Sequence, residues 1–171
     1  QHPVGFSNKE VLTFELELGN KYSGSEEVKA LLNNIGAELK QLPQVEDVAR
    51  AVLTPIRVGN FAMALRDENE NDIGAFQINR VDSNYFDLIG LPLKQGKTFQ
   101  QFSDDAENRV FEIILSESAA RNMFGTTDVV GRNLKSAGNT PLKVIGVVGD
   151  IFNPYKSNES KGIKIYLNFH Y

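Results

Sequence analysis

The sequence predicts an α+β fold, and three observations carry that reading. A strand–helix–strand run opens the chain, an alternating strand closes it, and short elements with clear turn punctuation lie between. With 171 residues the chain is long enough for one domain with a real core. Hydrophobic residues make up 41% and charged residues 23%, close to ordinary globular usage.

Residues 11–18, VLTFELEL, place Leu12, Phe14, Leu16 and Leu18 on one face and Thr13, Glu15 and Glu17 on the other. That alternation predicts a half-buried strand, with the two glutamates on its solvated face. Ser23 and Glu26 then match a capping box, and Glu27 adds charge at the positive helix end. Val28, Leu31, Leu32, Ile35, Leu39 and Leu42 fall on one helical face, and Pro43 stops the helix. A second strand is expected around Val45–Leu53.

Two apolar arms flanking RDENEND predict a hairpin, with a turn too charged to be buried. NYFDLI reads as a short helical turn and LPLKQG as a strand. VFEIIL (110–115) is a further strand; Ser116 caps the helix ESAARNMF and Gly125 ends it. RNLKS and LKVIGVVGD form two strands joined by the turn AGNT. The last element, GIKIYLNF, alternates and is expected to keep one wet face. The NPYKSNESK linker before it is polar.

Composition excludes several kinds of chemistry. With no cysteine there is no disulfide, thiolate or Cys-based zinc site. A net charge of −4 without a Lys/Arg run gives no reason to expect nucleic acid. No apolar stretch approaches the ~18 residues of a membrane-spanning helix, and the N-terminus lacks the apolar core of a signal peptide.

GLPLKQGKT (Gly90–Thr98) imitates a phosphate-binding P-loop, G-x-x-x-x-G-K-[ST]. Five residues, not four, separate Gly90 from Gly96, and Pro92 inside the loop has no N–H to offer. Gly146 and Gly149 in VIGVVGD do not make a dinucleotide fingerprint; glycine inside a β-branched strand marks close backbone approach or a bulge. Asp67, Glu68, Glu70 and Asp72 suggest a calcium loop, but the sixth and twelfth positions from Asp67 hold Asp72 and Ile78, where an EF-hand needs Gly and Glu. The two histidines, His2 and His170, sit at the chain ends, and Asp104–Asp105 lies in a polar stretch. No catalytic, cofactor-binding or metal-binding residue is assigned, no cofactor is expected, and an enzyme is disfavoured.

Four ordered blocks, running from about Gly5 to Ile151, resemble the periplasmic core domain of MacB-type ABC transporter permeases, also described as FtsX-like. In VDSNYFDLIGLPLKQGKTFQQFSDD the matching residues are Val81, Tyr85, Phe86, Gly90, Leu91, Leu93, Gly96 and Phe99. In ILSESAARNMFGTTDVVGRNL they are Ala119, Ala120, Phe124, Gly125, Asp128, Gly131 and Arg132. KVIGVVGDI (Lys143–Ile151) is similar to the family's Val-Ile-Gly-Val-Val-x-Asp strand, and GFSNKEVLTFELELGNKY to the segment following the first membrane helix.

The resemblance implies a two-lobed domain. Residues 5–80 plus 151–171 would form a porter-like α/β lobe, and residues 81–150 an inserted α/β lobe. It also implies a fragment whose ends both enter the bacterial inner membrane and meet at one pole, on the periplasmic side. Expected partners are a second permease as homodimer or heterodimer, a cytoplasmic ATPase domain or subunit, and an adaptor protein. Function would be coupling: ATP-driven movement of membrane helices passes to the periplasmic domain through strands 11–18 and 163–169. The rival readings are a free-standing periplasmic ligand- or peptide-binding module and an enzyme using GLPLKQGKT as a phosphate loop.

Overall fold

The apolar residues of the central strands, Phe111–Ser116, Pro141–Val148 and Lys164–Asn168, are mostly buried, on two opposite faces of one sheet. The computed structural model describes residues 5, 10–18, 25–55, 61–100, 110–151 and 164–169. In chain order the elements are α1 (Ser25–Leu39), β1 (Ala62–Arg66), β2 (Asp72–Val81), α2 (Tyr85–Leu88), β3 (Leu93–Gly96), β4 (Phe111–Ser116), α3 (Glu117–Phe124), β5 (Asn133–Ser136), β6 (Pro141–Val148) and β7 (Lys164–Asn168).

The strand order is β3-β6-β4-β7-β2-β1-β5, and β5 pairs again with β6. The sheet therefore closes on itself. β6 serves two neighbours on that side: its first half, Pro141–Lys143, meets β5, and its second half, Gly146–Val148, meets β3. β7 runs parallel to β2 and antiparallel to β4, which places it in the middle of the sheet. One sheet thus carries strands from residues 62–81 and 164–168 together with strands from residues 93–148.

Alternation sorts side chains between two cores. Ile113, Leu115, Ile165 and Leu167 enter a first core with Leu65, Phe76, Leu134 and the α3 residues Ala119 and Ala120. Ile114 and Tyr166 enter a second core with Val81, Tyr85, Phe86, Leu91 and Phe99. A register shift opposite Ile113/Ile114 resets the phase of β6, so Val144 and Val147 face the first core while Ile145 and Val148 face the second.

β7 corrects one expectation. It has no wet face, because all five of its residues are buried. Its alternation separates two dry faces.

The strand expected at 11–18 does not form. Those residues make no ladder, and Leu12 is 93% and Phe14 60% exposed. Alternation supplies a face, but a strand also needs an edge. Closure of the sheet gives every strand but β3 at least two neighbours, and residues 11–18 pair with none of them.

The strand expected at Val45–Leu53 is an extended segment with a single bridge, Ala51 to Val81. Its next ladder position is taken by a side chain. Asn79, 1% exposed, accepts from the Leu53 N–H at 2.9 Å and donates to its carbonyl at 2.8 Å. α1 ends at Leu39 as Pro43 requires, so Leu42 lies beyond it and is 48% exposed. The Ser23 cap lies outside the described residues.

The local punctuation reads as expected elsewhere. Ser116 Oγ accepts from Ala119 N at 3.2 Å, and Gly125 ends α3 in the left-handed region with φ 70°. β1 and β2 form the hairpin around Asp67–Asn71, and β5 and β6 the second hairpin. Among the described residues no helix is long and apolar enough to cross a membrane.

Candidate functional site

Arg50 joins four separate pieces of the chain. Its Nε donates to both Asp82 carboxylate oxygens, at 3.1 and 2.9 Å, and its Nη2 donates to Oδ1 at 2.8 Å. Its Nη1 donates to Asn33 Oδ1 on α1 at 3.1 Å, and its guanidinium lies 5.2 Å from the Phe169 ring centroid. The main chain repeats the grip. Arg50 N–H donates to Asp82 Oδ2, Asp82 N–H donates to the Arg50 carbonyl, and Phe169 N–H donates to the Val81 carbonyl.

The chemistry requires arginine. Its planar fork meets a carboxylate on two atoms, keeps a donor for a third partner and lies flat on a ring. The pair is partly sheltered, with the Arg50 side chain 22% and Asp82 17% exposed. Geometry and shelter together make it stronger than an exposed ion pair.

A second set of polar contacts sits beside it. Lys40, just after α1, meets Asp47 Oδ1 at 2.5 Å, and Asn84 Nδ2 donates to Asp47 Oδ2 at 2.5 Å. Desolvation pushes the Asp47 carboxyl up, but the bonds from Lys40, Asn84 and Val48 outweigh it and hold the group below its ordinary value. The segment 45–53 is thus fastened to α1 on one side and to the end of β2 on the other.

The aromatic stretch after β2 supplies the floor. Tyr85 and Phe86 start α2 and are buried, and Phe86 meets Tyr166 edge-on at 5.0 Å and Phe99 at 6.1 Å. At the far end, Asp150 accepts from Ser118 N at 2.9 Å and Ser118 Oγ at 2.6 Å, fixing the first turn of α3. A carboxylate there is favoured by the helix dipole.

GLPLKQGKT builds no phosphate cradle. Leu93–Gly96 is strand β3, Pro92 accepts from Gly149 N–H, Lys97 N–H donates to the Ile145 carbonyl, and Lys97 Nζ pairs with Glu112 at 3.2 Å. Gly146 marks the close approach expected of it, since a Cβ there would stand 2.4 Å from the Lys97 carbonyl oxygen.

The acidic turn is occupied by its own neighbours. Asp67 Oδ1 accepts from Asn69 N and Asn71 N, Glu68 accepts from Asn133, Asp72 accepts from Gly74 N, and Glu70 pairs with Lys135. His2, His170 and Asp104–Asp105 lie outside the described residues, as do both chain ends. Sequence reasoning missed Arg50, Asp82 and Asn79. Arg50 and Asp82 are 32 positions apart and Asn79 and Leu53 are 26 apart, and no periodicity signals such pairs.

These features define a class: a mixed helix-and-strand domain organised around a structural junction, with its glycine-rich stretch spent on strand packing. The family model for the MacB-like periplasmic core domain matches residues 11–170, and the chain belongs to that family, a domain of ABC transporter permeases. A macrolide export ATP-binding/permease protein MacB 1/2 of Paracoccus denitrificans is 28% identical over 131 residues, 77% of this chain and 18% of that protein. The Escherichia coli K12 macrolide export protein MacB is 30% identical over 102 residues, 59% of this chain and 15% of its own length. The chain thus spans less than a fifth of either relative.

Among solved structures, the periplasmic region of MacB from Actinobacillus actinomycetemcomitans matches with a TM-score of 0.57 at 22% identity. The match covers 80% of this chain and 54% of that one. The extracellular domain of the Gram-positive transporter YknZ matches with a TM-score of 0.51 at 24% identity, covering 86% and 69%. Both establish the mixed fold. The residues by which the chain resembles the family are mostly structural: Val81, Tyr85, Phe86, Leu91 and Phe99 build the second core, and Arg132 lies over Phe124 at 4.9 Å.

Proposed function

We propose that this chain is the extracytoplasmic part of an ABC transporter permease, on the periplasmic side of a bacterial inner membrane. In this reading it couples ATP-driven movement of membrane helices to export or to a partner protein. It carries no catalysis of its own; hydrolysis occurs in a separate cytoplasmic domain or chain. Helices flanking the domain hold it in the membrane, a second permease completes a homodimer or heterodimer, and an adaptor protein is a further partner. The relatives named for macrolide export make macrolides the first substrates to try.

The observation that supports this reading best is the Arg50 junction. It ties α1, the end of β2 and Phe169 after β7 into one point, so displacement entering from either side reaches the same rigid sheet. Coupling needs such a connection between elements that move as units.

The division into a porter-like lobe, residues 5–80 plus 151–171, and an inserted lobe, residues 81–150, belongs to the same proposal. Since β2 and β7 share a sheet with β4 and β6, and residues 45–53 are fastened to both α1 and the end of β2, the two lobes in this reading pass on a displacement through that shared sheet. Residues 11–18 then act as a tether, not as a sheet-borne lever.

Hydrogen exchange on the full-length protein in membranes, with and without ATP, tests the reading. Peptides covering Asn33–Arg50 and Lys164–Phe169 should change protection together. A domain whose exchange is indifferent to nucleotide would end the coupling role.

A further inference from the structure

We propose that a pocket between the tip of the β1–β2 hairpin and the end of α3 is a docking site for one apolar side chain of an extended peptide segment, supplied by a partner protein. Its apolar lining is Ile73, Met123 and Phe124, all half-buried, and polar side chains make up the rest. Its volume is about 160 Å³. Sites for drug-sized molecules run to roughly 300–1,000 Å³. A cavity of about 150 Å³ holds one benzene-sized ring. The pocket therefore matches a single aromatic or branched side chain, the anchor unit of protein interfaces.

Besides the Asn69 and Asn133 amides, the rim carries a charged donor, Arg132, and a charged acceptor, Glu68. Arg132 is exposed, its guanidinium stacked 4.9 Å from the Phe124 centroid, and no carboxylate among the described residues pairs with it. Its guanidinium supplies strong N–H donors to the lining of the pocket. On the other side, Glu68 Oε1 accepts from both Asn133 N and Nδ2 at 3.2 Å, which fixes the side chain and leaves Oε2 open. Asp67 is taken up by Asn69 and Asn71 of its own turn.

A peptide main chain presents this complement, a carbonyl for Arg132 and an N–H for Glu68, on either side of an inserted side chain. A lone cation would satisfy Glu68 and be repelled by Arg132; a lone anion would face the reverse. The neutral amide suits both.

The rim is also braced. Glu70, at the hairpin turn, is paired with Lys135 on β5 and Arg66 on β1, and the Arg132 main chain is bonded to Val129 and Val144. Preformed pockets lose little entropy on docking. The site is a property of the domain itself, so it stands or falls separately from the coupling role.

The test is a titration of the ¹⁵N-labelled chain with N-acetyl-phenylalanine-N-methylamide, followed by amide shifts. Saturable shifts should be confined to residues around Asn69, Ile73, Met123, Phe124 and Asn133, with a Kd on the order of 1 mM. N-acetyl-alanine-N-methylamide should bind about tenfold more weakly or worse, because it leaves the apolar lining uncovered. Arg132→Ala, at an exposed side chain, should keep the spectrum's dispersion and weaken the phenylalanine probe severalfold. Absence of saturable shifts here, or equal response to the two probes, overturns the pocket. Undiminished binding by Arg132→Ala overturns recognition of the main chain.

Discussion

Gly96 and Gly146 face each other across β3 and β6, and neither position has room for a side chain. A Cβ on Gly96 would stand 2.1 Å from the Ile145 carbonyl oxygen, and one on Gly146 would stand 2.4 Å from the Lys97 carbonyl oxygen. Gly96 also sits at φ +73°. The two strands approach so closely that only hydrogen fits between them.

Gly146→Ala and Gly96→Ala should each destabilise the domain by about 2 kcal/mol or more, since the atoms in the way are backbone and the packing is tight. Gly36→Ala is the control. Gly36 lies inside α1 with nothing within 4 Å of its missing Cβ, so alanine there should stabilise by about 0.5–1 kcal/mol. Urea midpoints of the three variants check both signs at once. A neutral Gly146→Ala would show that the strands can part.

This pair also shows what was legible in the sequence. Gly146 within VIGVVGD signals close approach, and Ser116 with Gly125 brackets α3, because those signals are local. The alternation of LKVIGVV and GIKIYLNF gave strands but not their surroundings. Whether a face meets solvent or a second core depends on which strands flank it, and β7 lies between β2 and β4, both distant in sequence. VLTFELEL reads as a strand for the same local reasons, but no strand of the sheet pairs with it. The Arg50 junction was illegible altogether: Asp82 follows β2 without belonging to its pattern, and Arg50 stands in a segment with no period. Tertiary context chose these partners.

The Arg50–Asp82 pair should resist conservative replacement. Arg50→Ala should cost about 1–3 kcal/mol, the range for charge-assisted hydrogen bonds in a partly exposed site. Arg50→Lys should lose most of the same energy, because an ammonium cannot engage both Asp82 oxygens, Asn33 and the Phe169 ring together. A double-mutant cycle with Asp82→Asn should return a coupling energy of at least about 1 kcal/mol. A lysine variant as stable as the parent would mean that charge alone matters at the junction.

Asp67 organises the hairpin turn, and pH should reveal it. The bonds from Asn71, side chain first and then main chain, hold its carboxyl below the ordinary 3.8, and that from Asn69 helps. A group depressed in the folded chain stabilises its surroundings above the unfolded value and stops doing so as pH falls through the folded value. The turn should therefore stay intact from neutral pH down through 3.8 and loosen only below it. The amide shifts of Asn69 and Asn71 should titrate together with a midpoint under 3.8. A midpoint at or above that value would mean the three acceptor bonds are absent in solution.

Tyr166 puts the second core to a different test. Its ring is fully buried in β7 and meets Phe86 edge-on, yet its hydroxyl has no partner among the described residues, and neither does that of Tyr85. Burial drives both phenols up; for Tyr166 the neighbouring Tyr85 and Asp150 add to the effect. An unsatisfied buried hydroxyl costs roughly 1–3 kcal/mol. Tyr166→Phe keeps the ring and removes the oxygen, so it should leave stability unchanged or raise it by up to that amount. Tyr166→Ala should lose about 3–5 kcal/mol, as for other large aromatic truncations in cores. Thermal and urea unfolding of the pair separate the ring's contribution from the hydroxyl's. Should Tyr166→Phe lose more than about 1 kcal/mol, the hydroxyl has a hydrogen-bond partner in solution, and the second core is wetter than its apolar lining implies.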